Sequence, residues 1–290
     1  MIALPAVVVV GLVLALGAGG SEERGAAPAA AAERADRFDS ARAWRHLRHQ
    51  VGLGPRPAGS PASARLAAYL RARLPRGRYE AVTGHPGLRN VVGRIPGRKP
   101  AVVVGAHYDT KDLPGFVGAN DGAGGTAAVL ELARALRRLE RPRGAPELRF
   151  VFFDGEEATD DARFYETGLR GSKAYAARHA DELRAVVVLD FIAEKGEMQI
   201  PYEPGSDARL WARLRAAAQR VGSGAAFPDA ESGEVTDDHT PFMRRGIPAI
   251  DLIDRTFPCW HRTCDDLSAV SERSLDLSGE AVLELLRTWR

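Results

Sequence analysis

Cysteine is almost absent: Cys259 and Cys264 are the only two in 290 residues. That excludes a disulfide framework and a cysteine-rich structural zinc site, so any metal site has to be built from His, Asp and Glu. Histidine is scarce too, at seven residues, so each can be weighed singly. Excess charge is missing: Lys+Arg 40 against Asp+Glu 38 leaves a formal +2, which gives no argument for a nucleic-acid partner. There is no internal repeat and no break in the hydrophobic pattern that demands a second domain. What is present is an ordinary globular balance, 45% hydrophobic and 27% charged. Whole-chain disorder, a coiled coil and a multi-span membrane protein are thereby excluded.

Charge is also lacking at the amino end. Met1 to Gly20 carries no charged side chain, and the first basic residue is Arg24. The apolar run and the small residues that close it (Ala15, Gly17, Ala18, Gly19, Gly20) read as a secretory signal peptide or a signal anchor, although the basic n-region is missing. A buried first strand is the alternative. Such a run is long enough to span a bilayer, so cleaved and anchored forms are both open. The expected location is secreted or cell-surface, with the membrane touched only through residues 1–20. Residues 21–36 are Ala-rich and charged without apolar periodicity, and read as a linker. Residues 37–290 read as one catalytic α/β domain.

Within that domain the strongest strand signals are AVVVGA (101–106), ELRFVFF (147–153), AVVVLDFI (185–192) and PAIDLI (248–253). The first three are continuous apolar runs, as expected of strands buried on both faces. Shorter β-like runs, 79–83 and 88–95, flank the turn GHPG. Helical patterns fill 123–139, 171–179, 206–221 and 271–290. Two more precede the strands, one from Ser40 with Trp44, Leu47 and Val51 on one face, one from Ser60-Pro61 with Leu66 and Leu70. Alternation of strand and helix predicts a mostly parallel central sheet flanked by helices on both faces.

In such sheets ligands gather beyond the carboxyl ends of the strands. The first strong strand runs into His107-Tyr108-Asp109, the second into Asp154-Gly155-Glu156-Glu157, and the third ends in Asp190. The loop after the fourth reaches Trp260-His261, and Asp121 opens a helix within GANDGAGG. His107, Asp121, Glu157, Asp190 and His261 thus offer five N or O ligands. That number suits one zinc with three ligands, or two sharing a bridging carboxylate, for which Asp121 is the natural choice. Glu156, beside a ligand and free of the metal, is a candidate general base or acid. Asp109 lies two residues beyond His107, on the same face of an extended chain, and is a candidate to orient a ligand. His46, His49, His85 and His179 stand in surface-type contexts without acidic company; His239, in Asp237-Asp238-His239, is intermediate.

Taken together, HYD, GANDGAGG, FFDGEEA, LRGSKAYA, LDFI and the late WH resemble family twenty-eight of the zinc metallopeptidases, over residues 40–290. The resemblance implies a zinc aminopeptidase-like (phosphorylase/hydrolase-like) fold, and an enzyme acting on peptide or protein N-termini with one or two zinc ions. It places the ligands on His107, Asp121, Glu157, Asp190 and His261, and proton transfer on Glu156. The family holds aminopeptidases and the animal-type glutaminyl-peptide cyclotransferases. HYDTK, FVGA, DDHTPFMRRGIP, FP-x-WH and the intervening residues 158–170 are similar to the cyclotransferase branch. That branch implies Asp237 and Asp190 in a network with Glu156, substrate contact through Trp260 and Phe257, and Asp238 beside Asp109 in support. ANDGAGG is closer to the aminopeptidase wording, and residues 158–170 hold no Trp, for which Phe164 or Tyr165 would have to stand in. The spacing of Cys259 and Cys264 leaves open whether they are paired or free.

Overall fold

The apolar runs of Val, Leu and Phe set the centre of the molecule, because each presents both of its faces to other side chains. The computed structural model describes residues 37–290; the apolar segment 1–20 and the linker 21–36 lie outside the described residues. In chain order the elements are α1 (Ser40–Val51), α2 (Pro61–Arg73), β1 (Arg78–Ala81), β2 (Arg89–Ile95), β3 (Arg98–His107), α3 (Ala123–Leu136) and β4 (Pro146–Phe153). There follow α4 (Phe164–Thr167), α5 (Arg170–His179), β5 (Leu183–Leu189), α6 (Ala208–Arg220), α7 (Thr240–Met243), β6 (Ala249–Leu252) and α8 (Glu272–Arg287). The cap of α1 is Asp39 rather than Ser40: its carboxylate accepts from Arg42 N at 2.9 Å. Ser60 caps α2 as expected, with Pro61 in the first turn.

The six strands form one sheet in the order β1-β2-β4-β3-β5-β6. β4, β3, β5 and β6 are parallel, and β1 and β2 add an antiparallel edge. Along β3, Val102, Val104 and Ala106 pack against one face with α1, α3, α6 and α8. Ala101 and Val103 pack against the other with Tyr175 and Ala176 of α5 and Phe242 of α7. Both faces are covered, which is why the run shows no polar alternation. Among the described residues no helix is long and apolar enough to cross a membrane.

The chain leaves β3 towards β4 on one side and later returns to β5 on the other. Loops beyond the carboxyl ends of β3 and β5 therefore diverge and open a crevice between them. His107 is the last residue of β3, and Asp190 follows β5 directly. α3 crosses close above: a Cβ at Gly125 would lie 2.0 Å from the Leu189 carbonyl oxygen.

Candidate metal centre

The five strand-end residues converge. His107 Nε2 lies 3.1 Å from Asp121 Oδ1 and 3.4 Å from Asp190 Oδ1. On the other side of Asp121, Oδ2 is 3.5 Å from His261 Nε2. Two triads result, His107–Asp121–Asp190 and Asp121–Glu157–His261, each with its ligand atoms within 4.8 Å of one another. Asp121 belongs to both, the place a bridging carboxylate would hold.

Local structure explains each position. Asp121 sits in the turn before α3, where Gly122 has φ +84 and a Cβ would meet His107 Cε1 at 3.1 Å. Only glycine lets the turn come this close to the imidazole. Phe191 and His261 have φ of 43° and 50°. Side chains rarely occupy that left-handed region, and such strain is held only where the surroundings over-determine it. The Asp109 carboxylate accepts the amides of Gly155 (3.0 Å), Glu156 (3.1 Å) and Glu157 (3.3 Å). Its carbonyl faces His107 Nδ1 at 3.2 Å. The Nδ1 proton has an acceptor there, and Nε2 is left for the centre of the site.

Electrostatics follow from burial. Burial alone would lower the His107 pKa, but hydrogen bonds to Asp109, Asp121 and Asp190 carry it well above its ordinary value. Burial lifts Asp190 to about 7, with His107 opposing. Glu157 is raised by burial and by Asp121, and Glu156 by burial and then by Glu157 and Asp237, with His107 opposing in both. Burial lowers His261, which favours the neutral imidazole that a metal ligand needs. Asp121 Oδ2 and Glu157 Oε1 are buried without a hydrogen-bond partner. Orphaned carboxylate oxygens are costly in protein, and a divalent cation between them and His261 would satisfy both. The donor set therefore fits a metal with N and O ligands.

Beside the triads lies a pocket of about 310 Å³, walled by Asp121, Glu156, Asp190, Asp237, Phe164 and Trp260. Trp260 stacks on Phe191 with centroids 4.0 Å apart at 6°. Phe164 fills the place the sequence left between itself and Tyr165; Tyr165 packs instead under Arg244 and Lys173. Phe257, expected to contact substrate, is buried at 4% and packs on Phe191 with centroids 5.8 Å apart; the residues walling this pocket do not include it. Asp238 is buried beside Asp237 and makes no hydrogen bond to any of the five ligands. His179 also departs from expectation, bonding Glu80 of β1 at 2.8 Å and Glu182 at 3.2 Å. His239 pairs with Glu203 at 3.1 Å. Cys259 and Cys264 are joined in a disulfide.

Several residues of the site carried no sequence signal. Asp265 accepts the amides of Asn120 and Asp121 at 2.8 and 3.0 Å. Arg56, fully buried, donates to the carbonyls of Val117 (2.8 Å) and Gly118 (3.3 Å) and so braces the same turn. Lys111 lies 3.3 Å from Glu157 and 2.7 Å from Asp161. It was visible only as the last letter of HYDTK.

A parallel sheet whose carboxyl edge holds two carboxylate–histidine triads defines a metal-dependent α/β enzyme. The model of peptidase family M28 matches residues 90–286, and the chain belongs to that family. A glutaminyl-peptide cyclotransferase of Drosophila melanogaster is 30% identical over 233 residues, 68% of this chain and 64% of its own length. Among solved structures, a glutaminyl cyclase from an Acidobacteriales bacterium superposes with a TM-score of 0.77 at 29% identity, covering 91% of this chain and 98% of that one. A leucine aminopeptidase precursor from Bacteroides thetaiotaomicron gives 0.77 at 26%, covering 87% and 98%.

Proposed function

We propose that the protein is a zinc-dependent glutaminyl-peptide cyclotransferase, converting an N-terminal glutamine to pyroglutamate with release of ammonia. The carrying observation is the small aromatic pocket, about 310 Å³ between Trp260, Phe164 and the acidic triad Glu156, Asp190 and Asp237. It suits one folded-back side chain better than an extended leaving segment. Named relatives of this activity support the reading.

Asp121, Glu157 and His261 would hold one zinc, and His107 with Asp190 a second around the shared Asp121. Bound zinc supplies Lewis-acid polarisation of the side-chain amide carbonyl. The rest falls to the chain. Trp260, braced by Phe191, packs against the folded glutamine and excludes water. The α-amine attacks the side-chain carbonyl carbon, and the bond to the amide nitrogen breaks. Glu156 takes the proton from the amine and delivers it to the departing nitrogen, which leaves as ammonia. Burial raises the Glu156 carboxyl above its ordinary value, which strengthens it as a proton acceptor. Asp190 and Asp237 line the same pocket as Glu156, and the Asp237 charge adds to the rise of its carboxyl. Roles for Asp109, Asp238 and Phe257 lie behind this layer.

A second reading, a zinc aminopeptidase, is favoured by the two triads sharing Asp121, since two-metal sites suit attack by an activated water. Incubation of zinc-loaded protein with Gln-peptides and Leu-peptides, followed by mass analysis, separates them. Loss of ammonia with the first residue retained is expected. Free amino acid from Leu-peptides, without ammonia from Gln-peptides, would assign the aminopeptidase. The uncharged segment 1–20 and the Cys259–Cys264 disulfide support an exported protein. Amino-terminal sequencing of the secreted fraction tests whether the segment is removed.

A further inference from the structure

His261 is held in the left-handed region at φ 50°, and nothing in its own side chain accounts for that. A disulfide brackets it: Cys259 and Cys264 lie on either side with Cα atoms 5.4 Å apart. Arg262 N donates to the Cys259 carbonyl at 3.0 Å inside the loop, and Asp265 N, just past it, to the Arg262 carbonyl at 2.9 Å. The residue after the second cysteine is Asp265, whose carboxylate takes the amides of Asn120 and Asp121. Its carbonyl takes that of Ala119 at 3.2 Å. The circuit closes on the ligands, for His261 Nε2 faces Asp121 Oδ2 at 3.5 Å. One end of the staple thus carries one ligand, and the other end carries the group that holds a second.

We propose that the Cys259–Cys264 disulfide and Asp265 act as one positioning clamp that sets the separation of His261 and Asp121 and so the affinity of the site for its metal. This rests on the reading of those two residues as ligands. The loop closed is short, with a sequence separation of 5, so the bond restrains little of the unfolded chain. Its effect is local geometry.

The test uses the full chain and a chromogenic chelator competing for zinc. Cys259→Ser with Cys264→Ser, and separately Asp265→Asn, should each weaken zinc binding by about 10–100-fold, the usual scale for groups that orient ligands. Saturating zinc should restore turnover, which a simple loss of folded protein would not allow. If the double serine variant does not fold, the wild type is reduced with a phosphine, which consumes one water and leaves two countable thiols, and is titrated in the same way. Two thiols with unchanged zinc affinity, or wild-type affinity in both variants, overturns the clamp. His261→Ala separates the two levels. Full wild-type zinc content there sinks the ligand reading itself, whereas reduced zinc there with intact binding in the clamp variants sinks the clamp alone.

Discussion

Glu156 and Glu157 are neighbours in different surroundings. Glu157 leaves a buried oxygen unpartnered towards the metal position, while Glu156 lines the pocket. Glu157→Gln should therefore lose zinc and turnover together, read by elemental analysis of the dialysed protein. Glu156→Gln should keep its zinc while kcat falls by roughly 10²–10⁴, the scale of a lost general acid–base; a near wild-type rate would reduce it to a turn residue. That these two would meet His107, Asp121, Asp190 and His261 at one rim was legible, because strands that end in an acid or a histidine there are hard to explain as separate caps. Asp265 and Arg56 were not. Asp265 stands in a Cys-Asp-Asp turn and Arg56 in a Pro/Gly loop, and both compositions read as surface. Their partners lie 145 and 62 residues away, a distance over which local pattern says nothing.

The elements themselves were readable from the same physics, the apolar runs giving β3, β4 and β5 to within a few residues. The segment 158–170 was not, since Thr, Asp and Arg alternate there without period; it folds into short turns that bring Phe164 to the pocket. The packing of α3 makes a sharper prediction. A Cβ at Gly125 would stand 2.0 Å from the Leu189 carbonyl oxygen and 3.1 Å from Ala106 Cβ, so α3 must move. Gly125→Ala should cost about 1–3 kcal/mol, the range for overpacking, read as a lowered denaturation midpoint. The connection after β5 carries a pH signature. Burial, followed by the neighbouring Asp254 carboxylate, lifts Glu194 to about 7 from 4.5. The folded state then holds a proton that the unfolded chain releases. Its contribution is complete below about pH 4.5 and is lost as pH rises through 7. Glu194→Gln should flatten the dependence of Tm on pH in that window and raise Tm at pH 8, as thermal scans at the two ends would show.

For the whole molecule, zinc that binds only the folded chain should stabilise it by mass action, by about 2.7 kcal/mol at a free concentration one hundred times Kd. Chelation should lower Tm by several degrees, reversibly; an unchanged Tm would mean that the centre is not coupled to folding. The coupling has a consequence in time. The ligand set opens at His107 and closes at His261, and the layer that covers α1 and α3 is completed only by α8 (Glu272–Arg287). Glu280 of that last helix accepts the backbone amides of Arg37 and Phe38, so the two ends of the described chain are stitched together. A nascent chain that stops before His261 holds an incomplete set of donors, and one that stops before α8 has no finished core to fix them. Cargo is loaded last: the polypeptide can be made, and if exported can be threaded, as an empty vessel, and it takes its ion from whichever compartment it finishes folding in.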